Sequence, residues 1–170
     1  MASRRIRPRS QAGAHRHEDF MRRAIALSRL GMQRGAGGPF GAVVVRDGVV
    51  VGEGYNRVTS TNDPTAHAEI VAIRDACRRL ETFDLSGATI YASCEPCPMC
   101  LAAILWARVD RLWYASGNED ASAVGFDDSA FHREIRLPVD RRTLKPRRLL
   151  ADEAKAVLAE WADKPDKIPY

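Results

Sequence analysis

Apolar residues recur along the chain at two different spacings, and each spacing predicts a different kind of element. Between residues 18 and 34 they return every three or four positions, which is typical of a helix with one apolar face. Residues 40–45 and 49–54 are instead rich in valine, and the dipeptide Asp47-Gly48 between them favours a tight turn. These segments predict a helix followed by a β-hairpin.

The rest of the chain alternates between the same two spacings. In order, the pattern predicts a helix over 64–80, a strand over 88–93, a helix over 98–107, a strand over 109–115, a short helix over 127–134, a strand or extended piece over 143–150 and a helix over 152–162. Asp63 and Pro64 suit the start of the first of these helices, as its cap and its first helical residue. Strands that alternate with helices imply βαβ crossovers, so the predicted fold is a three-layer α/β/α domain with a mixed sheet of about five strands.

The composition is that of a globular protein without a membrane span. Of the 170 residues, 45% are hydrophobic and 28% are charged. No stretch reaches the ~18 consecutive apolar residues that a membrane helix needs. The N-terminus also lacks the apolar middle region of a secretory signal. We therefore expect no association with a membrane.

The basic charge is concentrated at the N-terminus. The net charge is +4, but residues 1–17 hold five arginines and no acidic residue, which leaves 21 basic and 22 acidic residues in 18–170. This division predicts a disordered tail over 1–17 and one domain over 18–170, whose end, 151–170, is a helix with a short extension. Because phosphate contacts dominate binding to nucleic acid, the nearly neutral domain makes nucleic acid an unexpected partner.

The cysteines are bunched rather than spread along the chain. Cys94, Cys97 and Cys100 lie within seven residues of one another, and Cys77 lies alone in a predicted helix. Such bunching is typical of metal binding in a reducing compartment rather than of a secreted disulfide framework, so we expect a cytoplasmic protein. Cys77, among apolar neighbours, is expected to be a small packed residue.

Two short motifs carry the chemistry, and each lies at a predicted helix N-terminus. One runs from Pro64 to Glu69 and contains His67, and the other contains Cys97 and Cys100. Together they offer one nitrogen and two thiolates, and three protein ligands leave the fourth position of a tetrahedral zinc ion open for water. The positive ends of the two helices favour thiolates, and zinc lowers the pKa of a bound water to about 7. The pattern predicts a catalytic zinc site.

Glu69 follows the predicted ligand His67 too closely to lie far from the metal. A carboxylate there is better suited to moving protons between water, a ring nitrogen and a leaving amine than to ligation. The same order of residues, H-x-E followed by P-C-x-x-C, is the signature of zinc nucleobase deaminases. Two alternatives stay open: a closed structural zinc site with Cys94 as the fourth ligand, and a redox C-x-x-C pair.

With these residues the chain resembles the cytidine deaminase superfamily, and within it the bacterial guanine deaminases. The stretches that match are 37–45, 62–69, 93–100 and 125–129, together with a final Tyr170. The resemblance covers residues 18–170. It implies a cytidine-deaminase-like fold, one Zn²⁺ per subunit held by His67, Cys97 and Cys100, and Glu69 as the proton shuttle. The implied reaction is the hydrolysis of guanine at C2 to xanthine and ammonia, a step of purine base catabolism.

The resemblance also implies how a small purine would be bound. The candidate substrate-binding residues are Asn56, Ala68, Asp128 and Tyr170, together with Phe40, an aromatic residue at a predicted strand start that can stack on a flat purine. In the family the C-terminal segment closes over the site of a partner subunit, so a homodimer with exchanged segments is expected. Three alternatives remain for these residues: Asn56 can be a simple turn residue, Phe40 can be a core residue, and Asp127 can take the role given to Asp128. Guanosine or another nucleoside, and less favourably the adenosine of a tRNA, remain alternative substrates.

Overall fold

The computed structural model describes the backbone of residues 9–169 and the side chains of residues 16–169. Its helices are α1 (Arg9–Gln33), α2 (Val58–Thr61), α3 (Ala68–Leu80), α4 (Pro98–Trp106), α5 (Asn118–Ala123), α6 (Ser129–Arg136) and α7 (Ala151–Asp163). Its strands are β1 (Gly41–Arg46), β2 (Val49–Tyr55), β3 (Ala88–Cys94) and β4 (Arg111–Ser116). None of the helices in the described part of the chain is long and apolar enough to cross a membrane.

The four strands form one mixed sheet in the order β2-β1-β3-β4. β1 pairs antiparallel with β2 and with β3, while β3 and β4 run parallel with α4 as their crossover. Asp47 and Gly48 have φ angles of +52° and +75°, as the predicted tight hairpin turn requires. The mixed sheet is confirmed with four strands over residues 9–169, because 143–150 forms no strand there.

Helices cover both faces of this sheet. The side chains of β1 alternate: Ala42 and Val44 pack in one apolar cluster with α3 and α4, while Val43 and Val45 pack in another with Ala24 of α1. This alternation is the period of two that a central strand shows when both of its faces are covered. The three-layer α/β/α architecture is therefore confirmed.

α3 approaches β2 so closely that a glycine is needed between them. A Cβ atom at Gly54 would lie 2.4 Å from the carbonyl oxygen of Ala68, the first residue of α3. Since side-chain carbons do not approach backbone oxygens this closely, Gly54 fixes the start of α3 against the end of β2. The residues around that helix start, His67 and Glu69, are thereby fixed to the sheet.

α1 is longer than predicted. It begins at Arg9, so residues 9–17 lie within α1, where the sequence analysis predicts a tail; residues 1–8 lie outside the described residues. Tertiary contact holds this part of the helix at residue 17: the His17 Nδ1 lies 2.5 Å from the hydroxyl of Tyr91, and the His17 ring lies 4.9 Å from that of Trp113. A helix extended in this way gains contacts with β3 and β4 that composition alone does not reveal.

The loop before α3 also differs from the prediction. The helix expected from Pro64 begins at Ala68, because the carboxylate of Asp63 accepts hydrogen bonds from the Thr65 backbone N–H and hydroxyl, at 2.8 and 2.6 Å. These bonds hold a turn in place of the first helical turn. The short helices α2 and α5 were not predicted either.

The chain divides into two compact units after Asp128. The second unit contains α6, a 3₁₀ turn over Val139–Arg141 and α7. Within it the carboxylate of Glu134 accepts hydrogen bonds from the N–H and the hydroxyl of Thr143, at 2.5 and 3.2 Å. Its apolar side chains are exposed, Leu144 and Leu149 each by 82%. The predicted helix over 152–162 is present as α7.

Candidate active site

Two helix N-termini meet where β3 ends. His67 is the N-cap residue of α3 and Cys97 is the N-cap residue of α4, and both have an extended backbone conformation. Neither side chain forms a capping hydrogen bond with its own helix. Pro98 is the first residue of α4, where its missing N–H is harmless. Both N-cap side chains can therefore point away from their helices toward a common ligand.

The three predicted ligands are brought together. The Nδ1 atom of His67 lies 3.6 Å from the Sγ of Cys97 and 3.5 Å from the Sγ of Cys100. All three ligand atoms lie within 4.8 Å of one another. A tetrahedral zinc ion with Zn–N and Zn–S bonds of about 2.05 and 2.3 Å separates its nitrogen and sulfur ligands by about 3.6 Å. The donor set therefore fits zinc in spacing as well as in chemistry.

The electrostatics of the cluster favour a thiolate. A hydrogen bond from the Cys100 thiol, reinforced by one from His67, lowers the pKa of Cys97 to about 4 despite its partial burial. The pKa of Cys100 is raised in turn by that hydrogen bond and by burial, and the pKa of His67 is raised by its bond to Cys97. Two thiols and an imidazole that share protons so closely are suited to exchange them for one cation.

Glu69 lies beside the cluster but outside the ligand set. Its side chain is buried, and its Oε2 accepts a hydrogen bond from the Cys100 thiol at 3.4 Å. Burial raises the pKa of this carboxyl. A carboxyl that holds a proton more readily than usual, in contact with one of the predicted ligands, is suited to proton transfer.

Cys94 points elsewhere. It is buried at the end of β3, and its thiol donates to the carbonyl oxygen of Gly117 at 3.7 Å. Among the described residues, the candidate metal cluster contains His67, Cys97 and Cys100 without Cys94. This disfavours a closed site with four protein ligands and leaves one tetrahedral position for a ligand from outside the chain.

Asn56 follows β2 and is buried, with 5% of its surface exposed. Its Oδ1 accepts the backbone N–H of Val58 at 3.1 Å, and its own backbone N–H donates to the Phe40 carbonyl at 2.9 Å. Because a backbone N–H can only donate, this bond identifies the oxygen of the amide. The Nδ2 group is thus a hydrogen-bond donor held in a fixed orientation.

Phe40 lies directly before β1 and packs partly against the core cluster that contains Ala68. Its ring meets that of Phe126 edge to face, with centroids 4.9 Å apart and planes at 86°. Phe126 is not among the predicted site residues, although it lies inside the matching stretch 125–129 beside the two candidate aspartates. The pair links the loop before β1 to the loop that contains Asp128.

The remaining predicted site residues differ in where they lie. The Ala68 side chain is buried in the core, so only its backbone at the helix N-terminus can face a ligand. Asp128 is half-buried in the loop after Phe126, whereas Asp127 is exposed. The predicted role of Tyr170 lies outside the described residues.

Comparison with known proteins agrees with this geometry. Residues 14–116 match the cytidine and deoxycytidylate deaminase zinc-binding region. The chain is 46% identical over 154 residues to the guanine deaminase of Bacillus subtilis (strain 168), a match that covers 91% of this chain and 99% of that protein. The X-ray structure of the B. subtilis guanine deaminase superposes with a TM-score of 0.87 and covers 91% of this chain and 98% of that one.

Two further relatives match a smaller part of the chain. The structure of guanine deaminase from Nitrosomonas europaea is 35% identical, with a TM-score of 0.61, and covers 64% of this chain and 63% of that one. The tRNA-specific adenosine deaminase of Agrobacterium fabrum is 45% identical over 105 residues, which is 62% of this chain and 68% of that protein. The likeness to the B. subtilis protein thus extends over more of the chain than the likeness to the tRNA-specific deaminase.

Proposed function

The chain belongs to the zinc-binding cytidine and deoxycytidylate deaminase family, and from that premise we propose that it is a guanine deaminase, which hydrolyses guanine to xanthine and ammonia. The observation that carries the proposal is the extent of one match. At 91% of the chain, the likeness to the B. subtilis guanine deaminase extends past Asp128 into the second unit, far beyond the shared zinc-binding region that ends at residue 116. Similarity confined to the zinc-binding region would leave the base unidentified.

His67, Cys97 and Cys100 would hold one zinc ion per subunit, as the spacing of their donor atoms supports. When bound, zinc would supply Lewis acidity that lowers the pKa of water at the open position. The other contributions come from the chain itself. α3 and α4 direct their N-termini at this point, where their partial positive charge favours developing negative charge.

Glu69 is the proposed proton shuttle. In a buried carboxyl whose pKa is raised, Oε2 can take a proton from water as the water oxygen adds to C2 of guanine, and pass it to N3. The new hydroxyl at C2 then gives up its proton, which passes through Glu69 to the amino group; the C–N bond breaks, ammonia leaves and the C2 carbonyl of xanthine forms. Because the carboxyl is 3.4 Å from the Cys100 sulfur, it is close to the metal site without taking part in it.

Four residues are proposed to bind the purine. The Nδ2 group of Asn56 can donate to an acceptor on the base, because its oxygen is already used by Val58. The carboxylate of Asp128 can accept a ring N–H with charge assistance, and its half-buried position favours it over the exposed Asp127. The Phe40 ring, braced by Phe126, offers an apolar wall for a flat base. Ala68 would contribute its backbone N–H.

We further propose a homodimer in which the C-terminal segment of each subunit, with Tyr170, closes over the partner's site. β4 is an edge strand of the sheet and exposes about half of Trp113 and of Tyr114. Charge also favours association: residues 18–128 hold 11 basic and 15 acidic residues, whereas 129–170 hold 10 basic and 7 acidic ones. Closure would exclude water from the site.

A cytoplasmic location is proposed from the cysteines. All four are free thiols, and two of them are the proposed metal ligands Cys97 and Cys100. An oxidising compartment would join such neighbouring thiols and remove them from the metal. In the cytoplasm the chain would serve purine base catabolism.

The proposal is tested by ammonia release from purified, zinc-loaded protein. Guanine, guanosine, adenine, cytosine, cytidine and a tRNA substrate are compared at equal enzyme concentration, with Glu69→Gln as the inactive control. We expect guanine to have the highest kcat/KM. A higher kcat/KM for guanosine would identify a nucleoside deaminase, and activity on the tRNA alone would identify an editing enzyme; either result would replace the proposed function.

A further inference from the structure

Gly37 lies directly against the amide of Asn56. A Cβ atom at Gly37 would be 2.1 Å from the Asn56 Oδ1 and 3.0 Å from both the Cγ and the backbone carbonyl oxygen of Asn56, so its severe clash is with the amide oxygen. Real side-chain carbons do not approach an oxygen so closely, so even alanine at this position would have to displace the amide. The φ angle of Gly37 lies outside the left-handed region, so what this position requires is space rather than an unusual backbone conformation.

The amide cannot move away without losing a bond. Its Oδ1 accepts the Val58 N–H at 3.1 Å, and the backbone N–H of Asn56 is held by Phe40 at 2.9 Å. A rotation that relieved a clash at Oδ1 would break the first bond and turn the Nδ2 donor out of its direction. The cost of leaving a buried N–H without an acceptor opposes such a rotation.

The loop that carries Gly37 is also fixed. The Ala36 carbonyl accepts the N–H of Ser60 at 3.1 Å and the hydroxyl of Thr59 at 3.0 Å, while the Ala36 N–H donates to the Gly31 carbonyl at 3.0 Å. The residue beside Gly37 is thus bonded on both sides. A substitution at Gly37 therefore acts on Asn56 rather than on the loop.

We propose that Gly37 is a positioning residue for the substrate: by packing against Asn56 it sets the direction in which the amide Nδ2 donates to the purine. The inference deepens the proposed function and rests on it, since it is through Asn56 that Gly37 affects the reaction. Gly37 touches no reacting atom, and its contribution is a fixed donor direction.

A double-mutant cycle tests the inference. Gly37→Ala is expected to lower kcat/KM for guanine by about 10- to 100-fold, mostly through KM and with unchanged zinc content, because a donor displaced by about 1 Å can cost that much. In the Asn56→Ala background the same substitution is expected to change kcat/KM less than about twofold, since no amide remains to be displaced. The matched control is Gly117→Ala, whose Cβ would meet its nearest atom at an ordinary 3.9 Å.

Two further readouts do not depend on turnover. The side-chain NH₂ signals of Asn56, assigned by their loss in Asn56→Ala, should shift in Gly37→Ala and stay in place in Gly117→Ala. Gly37→Ala should lower the midpoint temperature of thermal unfolding, and the double variant should recover part of that decrease. If Gly37→Ala alone does not fold but the double variant does, that result also supports the inference. Unshifted NH₂ signals, or losses in kcat/KM that add in the double variant, would overturn it.

The two hypotheses fail in different ways. If the unmodified chain does not act on guanine, the proposed function fails, and the NMR signals of Asn56 still decide whether Gly37 positions the amide. If the unmodified chain acts on guanine but the two substitutions act independently, only the role of Gly37 is lost.

Discussion

His67 and Cys97 occupy the same position in two different helices. Each is the residue that precedes its helix, with φ and ψ of −67° and 158° for His67 and −63° and 167° for Cys97, and the Nδ1 of one lies 3.6 Å from the Sγ of the other. An N-cap side chain that does not bond to its own helix is free to bind something else. Two such residues facing each other form a metal site at the positive ends of two helix dipoles. That position favours anionic ligands and reactants.

Replacing Glu69 by glutamine should separate metal binding from turnover. The substitution keeps the size of the buried side chain and its contact with Cys100 but removes its ability to carry a proton. We expect kcat for guanine to fall by at least about 10²- to 10⁴-fold with one zinc per chain retained. The zinc content by mass spectrometry and the rate of ammonia release check this. Loss of zinc in Glu69→Gln would mean that Glu69 belongs to the ligand set.

Cysteine substitutions should distinguish ligands from their neighbour. Cys100 lies at the candidate metal centre, whereas Cys94 bonds to the Gly117 carbonyl. Cys100→Ser is therefore expected to lower the zinc content well below one per chain and to abolish turnover, whereas Cys94→Ser should retain both. The reverse pattern, or zinc loss in both variants, would restore Cys94 as a fourth ligand and the closed structural site.

Much of this site could be predicted from the sequence because its signals are local. The proposed ligands His67, Cys97 and Cys100 lie at or near helix starts: Pro98 and the apolar spacing indicate the start of α4, and Pro64 lies four residues before the start of α3. The β1–β2 hairpin was predictable for the same reason, since Asp47-Gly48 encodes its own turn.

Features that depend on distant contacts could not be predicted in this way. α1 extends to Arg9, and His17 within it contacts β3 and β4, far away in the sequence: its ring lies against Trp113 and its Nδ1 lies within hydrogen-bond distance of the Tyr91 hydroxyl. The role of Phe126 depends on Phe40, and the need for Gly37 depends on Asn56. Asp63 looked like a helix cap, but its bonds to Thr65 delay the helix instead. Each of these outcomes was decided by tertiary packing or by a competing local bond.

The two neighbouring aspartates should differ in their effect on substrate choice. Asp128→Asn keeps the shape of the side chain but weakens a charge-assisted bond to a ring N–H, so kcat/KM for guanine should fall by about 10- to 100-fold. Asp127 is exposed, and Asp127→Asn is expected to change kcat/KM less than about threefold. Steady-state kinetics with guanine check this, with thermal midpoints to verify folding. A larger loss in Asp127→Asn would exchange the two roles.

Removing residues 165–170 should abolish turnover in a way that a second chain can repair. If the C-terminal segment closes over the partner's site, a chain truncated after Lys164 has intact zinc ligands and Glu69 but no segment to offer. A full-length Glu69→Gln chain has the segment but no proton shuttle. Each is expected to be inactive by itself. Co-expressed with different tags, they should form heterodimers with one complete site, which restores about a quarter of the unmodified activity when subunits pair at random.

The purified heterodimer is the decisive sample for this exchange, since its composition is fixed by the two tags. Its activity should be about half that of the unmodified dimer, because one of its two sites combines an intact Glu69 with an intact partner segment. The matched control places both changes in one chain: that chain, paired with an unmodified one, has one site that lacks Glu69 and another that lacks only the partner's segment. If the segments are exchanged, this control should have almost no activity. If each segment closes over its own subunit instead, the control should have half of the unmodified activity and the first heterodimer should have none.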